Sequence, residues 1–210
     1  RDFCLSRGLG DVYKRQVWTG ADVATDQGDV VARLTSQIAG GTEFIVPMGE
    51  RADPQTVQFG NHVDTEPVGV LAWEATRIAS GIPRIGLDTD ARTIPNEIGL
   101  YATHLDKGCY RGQETVARVH NLGRPPRRLT MLMLDGSDAE LPDPGASVIL
   151  EGRKVGQLGG VALHHELGPV GLALLKRNVS VDSVLTVDGV AASQTILVDP
   201  EVGLHVRPQL

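Results

Sequence analysis

Apolar residues between positions 17 and 126 follow two different spacings, one helical and one extended. Apolar positions three to four residues apart predict helices at Ala24–Ile38, Pro67–Ala79 and Gly112–Leu122. Shorter apolar runs predict strands at Val17–Gly20, Glu43–Met48 and Ile98–Leu105. Helices and strands are therefore mixed in this part of the chain, which favours an αβ domain over residues 17–126.

The pattern changes after Pro125-Pro126, where short apolar stretches are divided by Gly, Pro, Asp and Asn. They predict strands at Leu129–Leu134, Ser147–Leu150, Lys154–Gln157, Gly159–Leu163, Val170–Leu175, Val184–Val187 and Gln194–Val198. Evenly spaced short strands are typical of a small antiparallel barrel or sandwich. The predicted fold class is α+β, with the αβ domain followed by a small antiparallel β-barrel over residues 127–210.

Residues 1–16 show neither a helical nor an extended apolar pattern. Their string GDVYKRQ resembles a translated sequencing adapter. We therefore interpret residues 1–16 as a non-native segment, exclude them from fold reasoning, and expect the natural protein to be truncated at its N-terminus.

The chain carries 20 Lys and Arg against 26 Asp and Glu, a net charge of −6, which argues against a general nucleic-acid binder. Positive charge concentrates between Asp106 and Arg128, which suggests a small anionic ligand, a short acidic tail or a solvated strip. No apolar run approaches the roughly 20 residues of a membrane span, and two cysteines make no disulfide framework. We expect a cytoplasmic protein without membrane or direct nucleic-acid partners.

The strongest candidate for chemistry is Cys109, which lies between Lys107 and Arg111 just before a predicted helix. Neighbouring cations and a helix N-terminus both favour the thiolate, the nucleophilic form of cysteine. A small buried residue in a turn is the structural alternative. A Cys-His dyad with His104 or His120 stays open. The lack of a CxxC motif or a standard zinc spacing predicts no metal site.

A second polar cluster runs from Arg84 to Glu97 and includes Asp88, Asp90 and Arg92. Such a segment can be a solvated loop. Glu97 precedes an apolar stretch, however, which places its carboxylate at the rim of a domain. A carboxylate there can accept hydrogen bonds from the amino group and ring N–H of a pterin, a planar heterocycle with adjacent donors.

Two strings carry a family resemblance, GIPRIGLDTDARTIPNE at 81–97 and KGCYRGQETVAR at 107–118. They resemble the YgfZ-like folate-binding proteins, relatives of the glycine-cleavage T-protein, an aminomethyltransferase. Every fixed position of the family string K-G-C-Y-x-G-Q-E-x-x-x-R is matched. The T-protein lacks the cysteine, which favours the YgfZ-like branch.

The resemblance implies a three-domain fold around a folate channel, ending in a small β-barrel, with residues 17–126 as the remnant of a T-protein-like central domain. It also implies tetrahydrofolate binding and support for iron–sulfur enzymes, including those that thiolate tRNA. By the same resemblance, Glu97 holds the pterin ring, and Lys107 and Cys109 are the functional lysine and cysteine. The remaining folate contacts are expected from Tyr110, Gln113 and Arg118.

Two other functions stay open at this point. One is a tetrahydrofolate-dependent aminomethyltransferase or demethylase, in which proximity of the two reactants supplies much of the rate. The other is a non-catalytic interaction module that docks on iron–sulfur client proteins. The expected partners are therefore folate and iron–sulfur clients.

Overall fold

The computed structural model describes residues 32–35, 42–45, 69–100, 108–110, 112–122, 125–137 and 140–200. The chain divides into two compact units, with the boundary between Trp73 and Glu74. The interpretation of residues 1–16 and the strand predicted at Val17–Gly20 fall outside the described residues. Within the described ranges, no helix is long and apolar enough to cross a membrane.

The first unit contains an antiparallel pair of strands, β1 at Ala32–Thr35 and β2 at Thr42–Ile45. The helix predicted at Ala24–Ile38 is therefore wrong at Ala32–Thr35. Four residues are too few to distinguish helical from extended apolar spacing, and the pairing with β2 makes this segment a strand. The strand predicted at Glu43–Met48 is confirmed over the residues that belong to β2.

Helix α1 spans Val70–Ala79 and confirms the predicted helix from Val70 onward. Ala75 and Ile78 are buried on its inner face. Gly81 follows the helix with φ +70°, and its N–H donates to the carbonyl of Ile78 over 2.9 Å. A left-handed residue at this point favours glycine, so Gly81 determines where α1 ends.

A 3₁₀ turn at Pro95–Ile98 and helix α2 at Gln113–Leu122 follow. The strand predicted at Ile98–Leu105 is wrong at its start. Ile98 belongs to the 3₁₀ turn, and Gly99 is left-handed with φ +76°, which interrupts an extended run. Residues 101–105 lie outside the described residues. Helix α2 confirms the predicted helix.

The C-terminal part is a closed, fully antiparallel six-stranded barrel with strand order β3-β6-β5-β4-β7-β8. Its strands are β3 Arg127–Leu134, β4 Ser147–Leu150, β5 Arg153–His164, β6 Gly168–Lys176, β7 Leu185–Val187 and β8 Val190–Ile196. The prediction of an α+β chain ending in a small barrel is confirmed.

Two details of the barrel differ from the prediction. The two short strands predicted between residues 154 and 163 are one strand, β5, whose register shifts between Leu158 and Val161. Gly159 and Gly160 lie at this irregularity. In the sequence, glycines at such a point look like the end of a strand, so one strand was predicted as two. The final strand begins earlier than predicted, at Val190, because Val190–Ala192 pair with β7 and Ala192–Ile196 pair with β3.

Strand β3 supplies residues to two apolar clusters, one on each of its faces. Leu132 and Leu134 belong to the cluster that fills the barrel, whereas Leu129 and Met131 face outward. The outward pair packs in one cluster with Ala75 and Ile78 of α1. Alternation along one strand therefore attaches the helix to the outside of the barrel.

Candidate functional site

A buried ion pair joins α1, the loop that follows it and the barrel. Nη1 of Arg77 lies 2.8 Å from Oδ2 of Asp88, and the two side chains are 2% and 0% exposed. Asp88 also accepts hydrogen bonds from the backbone N–H groups of Arg84 and Gly160. Nε of Arg77 donates to Glu74 over 3.0 Å. Asp88 of the GIPRIGLD string is thus a structural joint in this conformation, not part of a solvated loop.

Glycines make room for this joint. A Cβ on Gly159 would lie 2.8 Å from Cα of Asp88, and one on Gly160 would lie 2.7 Å from Nη2 of Arg77. Because the β5 irregularity carries no side chain at these two positions, the loop and the Arg77 guanidinium can pack directly against the strand.

Glu97 is the centre of a second ionic network. Its side chain is fully buried, and its two oxygens accept from Nε and Nη2 of Arg127, each over 2.9 Å. The backbone N–H of Ile94 donates a third hydrogen bond, over 3.1 Å. Arg127, the first residue of β3, also lies 2.7 Å from Asp90. The network ties the 3₁₀ turn to the barrel.

These contacts shift the pKa values of Asp90 and Arg127. The hydrogen bond from Arg127 holds the pKa of the Asp90 carboxyl far below its usual range. Hydrogen bonds to Glu97 and then to Asp90 raise the pKa of Arg127 above its ordinary value. Asp90 is half exposed, so solvent screens part of its interaction with Arg127.

The position of Glu97 tests how a pterin would fit. In this conformation no part of its side chain is exposed, and Arg127 and Ile94 occupy both oxygens. A pterin could reach this carboxylate only if Arg127 moved away. The described residues around Glu97 therefore do not form an open pterin cradle.

The other predicted site residues lie around the start of α2. Cys109 is exposed, Tyr110 and Gln113 are half-buried, and Arg118 is exposed. Lys107 falls outside the described residues. Cys109, Tyr110 and Gln113 are close in sequence and lie at the start of α2. The Cys109 thiol is accessible to a reaction partner.

Three arginines of the positively charged stretch between Asp106 and Arg128 are paired or buried in the structure. Arg118 lies 3.6 Å from Glu114, four residues before it on α2. Arg127 is held by Glu97 and Asp90. Arg128 is buried and donates to Thr130 over 2.6 Å and to Gln194 over 2.8 Å, and burial lowers its pKa. These three arginines therefore do not form a free cationic surface.

A cavity of about 820 Å³ lies beside this network, and sequence reasoning missed it. Loop 85–91 forms one wall, and residues 154–159 of β5 form the opposite wall. Arg127, Leu174 and Lys176 complete the lining. In the sequence, only the polar character of residues 85–91 pointed to a site here. The contact between this loop and β5 joins segments about 70 residues apart, and no local pattern predicts such a contact.

His164 and His165 are adjacent in sequence but differ in burial. His164 ends β5 and is buried, with Nδ1 accepting from the N–H groups of Glu166 and Leu167, each over 3.2 Å. His165 is exposed. Across the described part of the chain, no group of three or more His, Cys, Asp or Glu side chains is placed to hold a metal ion.

Comparison with known proteins finds similarity in both parts of the chain. Residues 127–197 match the CAF17 C-terminal β-barrel domain. The chain is 34% identical over 127 residues to the Arabidopsis thaliana protein named "Putative transferase At1g60990, chloroplastic". The aligned region covers 58% of this chain and 28% of that protein.

Two bacterial relatives bear the name tRNA-modifying protein YgfZ. That of Colwellia psychrerythraea is 32% identical over 99 residues, 45% of this chain and 30% of the relative. That of Edwardsiella ictaluri is 34% identical over 132 residues, 60% of this chain and 39% of the relative. The chain therefore spans well under half the length of each of these relatives.

Proposed function

Because this chain belongs to a YgfZ/CAF17-like family, we propose that it takes part in tRNA modification, the process named in its YgfZ relatives. The observation that carries the proposal is the 34% identity to a tRNA-modifying YgfZ protein over 60% of this chain. The barrel that matches the CAF17 C-terminal domain supports the same assignment.

The finer proposal is that the chain supports assembly or repair of iron–sulfur enzymes, including those that thiolate tRNA, through Cys109. An accessible sulfur is the first requirement for such a role, and Cys109 is exposed ahead of α2. Lys107 is proposed as the neighbouring functional cation.

Tetrahydrofolate is proposed as the cofactor of the whole protein, on the strength of the KGCYRGQETVAR string. Tyr110, Gln113 and Arg118 are its proposed contacts near Cys109. Glu97 would contribute directly only if Arg127 released its carboxylate. Calorimetric titration of the chain with tetrahydrofolate tests this part: a Gln113→Ala variant should bind more weakly, and equal curves would remove Gln113 from the site.

The Arabidopsis relative is named a putative transferase, which favours a second candidate, a transferase. The resemblance to the T-protein makes a folate-dependent aminomethyltransferase the form we propose for it. A glycine-cleavage assay with tetrahydrofolate and an aminomethyl donor separates the two. Folate-dependent turnover that survives Cys109→Ala would favour the transferase, since the aminomethyltransferase reaction of the T-protein does not need this cysteine.

Complementation tests the leading proposal. The chain is expressed in a bacterium that lacks its own YgfZ, and thiolated tRNA nucleosides are measured by mass spectrometry. Wild type should raise the thiolated fraction, Cys109→Ala should not, and Thr115→Ala, an exposed change on α2, should behave as wild type. Full activity of Cys109→Ala would remove the thiol from the function, and no effect of any form would contradict the proposal itself.

A further inference from the structure

The cavity beside loop 85–91 has an aliphatic lining. Ile85 and Leu87 come from the loop, and Val155, Leu158 and Leu174 come from the barrel. A volume of about 820 Å³ is within the range of small-molecule sites, which is roughly 300–1,000 Å³. An apolar body of moderate size would therefore be desolvated against these side chains.

Most ionic groups in the cavity lining already have partners. Arg127 is bound to Glu97 and Asp90, and Asp88 is bound to Arg77. Each of these side chains therefore has an opposite charge beside it within the protein. They contribute shape and rigidity to the cavity wall, and little free charge.

Lys154 and Lys176 differ from these groups. They lie on the neighbouring strands β5 and β6, both line the cavity, and Nζ of Lys176 donates to the carbonyl of Lys154 over 3.1 Å. Among the residues that the structure describes, no carboxylate lies within ion-pair distance of either ammonium group. Two neighbouring cations without counter-charges therefore stand beside an aliphatic wall, and they favour an anion there.

We propose that this cavity binds a small organic anion, with a carboxylate or phosphate head at Lys154 and Lys176 and an apolar body against the loop and barrel side chains. The site is separate from Cys109, and it does not depend on the role proposed for the chain in tRNA modification. The two ammonium groups would hold the charged head, and the aliphatic side chains would desolvate the apolar body.

A pair of matched fluorescent probes tests both halves of this site. 8-Anilinonaphthalene-1-sulfonate is anionic, and N-phenyl-1-naphthylamine has the same rings without the charge. In a Lys154→Gln, Lys176→Gln variant the Kd of the anionic probe should rise roughly three- to tenfold, the range for two exposed ion pairs. The Kd of the neutral probe should stay unchanged.

Arg153→Gln is the matched control for charge, because Arg153 is exposed and adjacent in sequence but does not line the cavity. It should leave both Kd values unchanged. Ala91→Trp, an exposed lining position, should fill the cavity mouth and weaken both probes. Thermal unfolding of each variant shows that it is folded.

Two results would overturn the proposal: the same Kd for the anionic probe in wild type and the double lysine variant, or an equal loss in Arg153→Gln. Displacement of the anionic probe by octanoate and by octyl phosphate then identifies the head group. Preferential displacement by one of the two assigns a carboxylate or a phosphate ligand, and no displacement by either would contradict an organic-anion site.

Discussion

Arg77 and Asp88 form an ion pair of 2.8 Å in which neither side chain is more than 2% exposed. Asp88 satisfies its remaining acceptor capacity with backbone N–H groups of Arg84 and Gly160. Removing one partner of such a pair leaves an uncompensated buried charge, which costs more than the pair contributes while it is intact. The pair therefore makes α1, its following loop and β5 depend on one another.

Asp88→Ala is expected to destabilise the chain by about 3–5 kcal/mol, because it removes the fully buried carboxylate partner of Arg77 and leaves the backbone N–H groups of Arg84 and Gly160 without their acceptor. The measurement is the free energy of unfolding in urea for the whole chain. Arg84→Gln is the control, since Arg84 contacts Glu74 at the exposed edge of the same cluster. It should cost less than about 1 kcal/mol. Similar losses in the two variants would contradict a special role for the buried pair.

Gly159→Ala should destabilise the chain by about 1–3 kcal/mol, the cost of overpacking a close contact. The new Cβ would lie 2.8 Å from Cα of Asp88, where backbone must move. Gly108→Ala is the control, because nothing lies within 4 Å of a Cβ there and its φ is not left-handed. Thermal unfolding compares the two, and equal midpoints would show that β5 can accommodate a side chain at Gly159.

Glu97→Gln should lower the free energy of unfolding by roughly 1.5–3 kcal/mol without any ligand, because two charge-assisted hydrogen bonds from Arg127 are weakened. A purely ligand-binding Glu97 would show no such loss in the free protein. A double-mutant cycle with Arg127→Gln measures the coupling between the two side chains, and a coupling near zero would contradict the network.

The contribution of Asp90 to the stability of the chain should depend on pH. Its folded pKa is depressed, so its contribution is present above its unfolded pKa of about 4 and is lost as the pH falls toward the folded value. The difference in melting temperature between wild type and Asp90→Asn should therefore shrink below about pH 4. The effect should be modest, because the side chain is 52% exposed. A difference that grows on acidification would reverse the assigned sign.

Local sequence determined most of the regular structure described here. Helical spacing and a terminal glycine predicted α1, and Gly112–Leu122 predicted α2. Short apolar runs divided by turn residues predicted the barrel. These signals succeed because helix periodicity, turn conformation and strand alternation are properties of residues a few positions apart.

Tertiary structure decided what each polar residue of the loop does. Glu97 lies 30 residues from Arg127, and Asp88 lies 72 residues from Gly160. No local pattern shows that such groups become buried partners, because burial depends on which distant strands pack against the loop. The same reason explains the cavity at Lys154 and Lys176. Local spacing therefore determined the elements, whereas long-range packing separated the ionic joints from the side chains left free to bind.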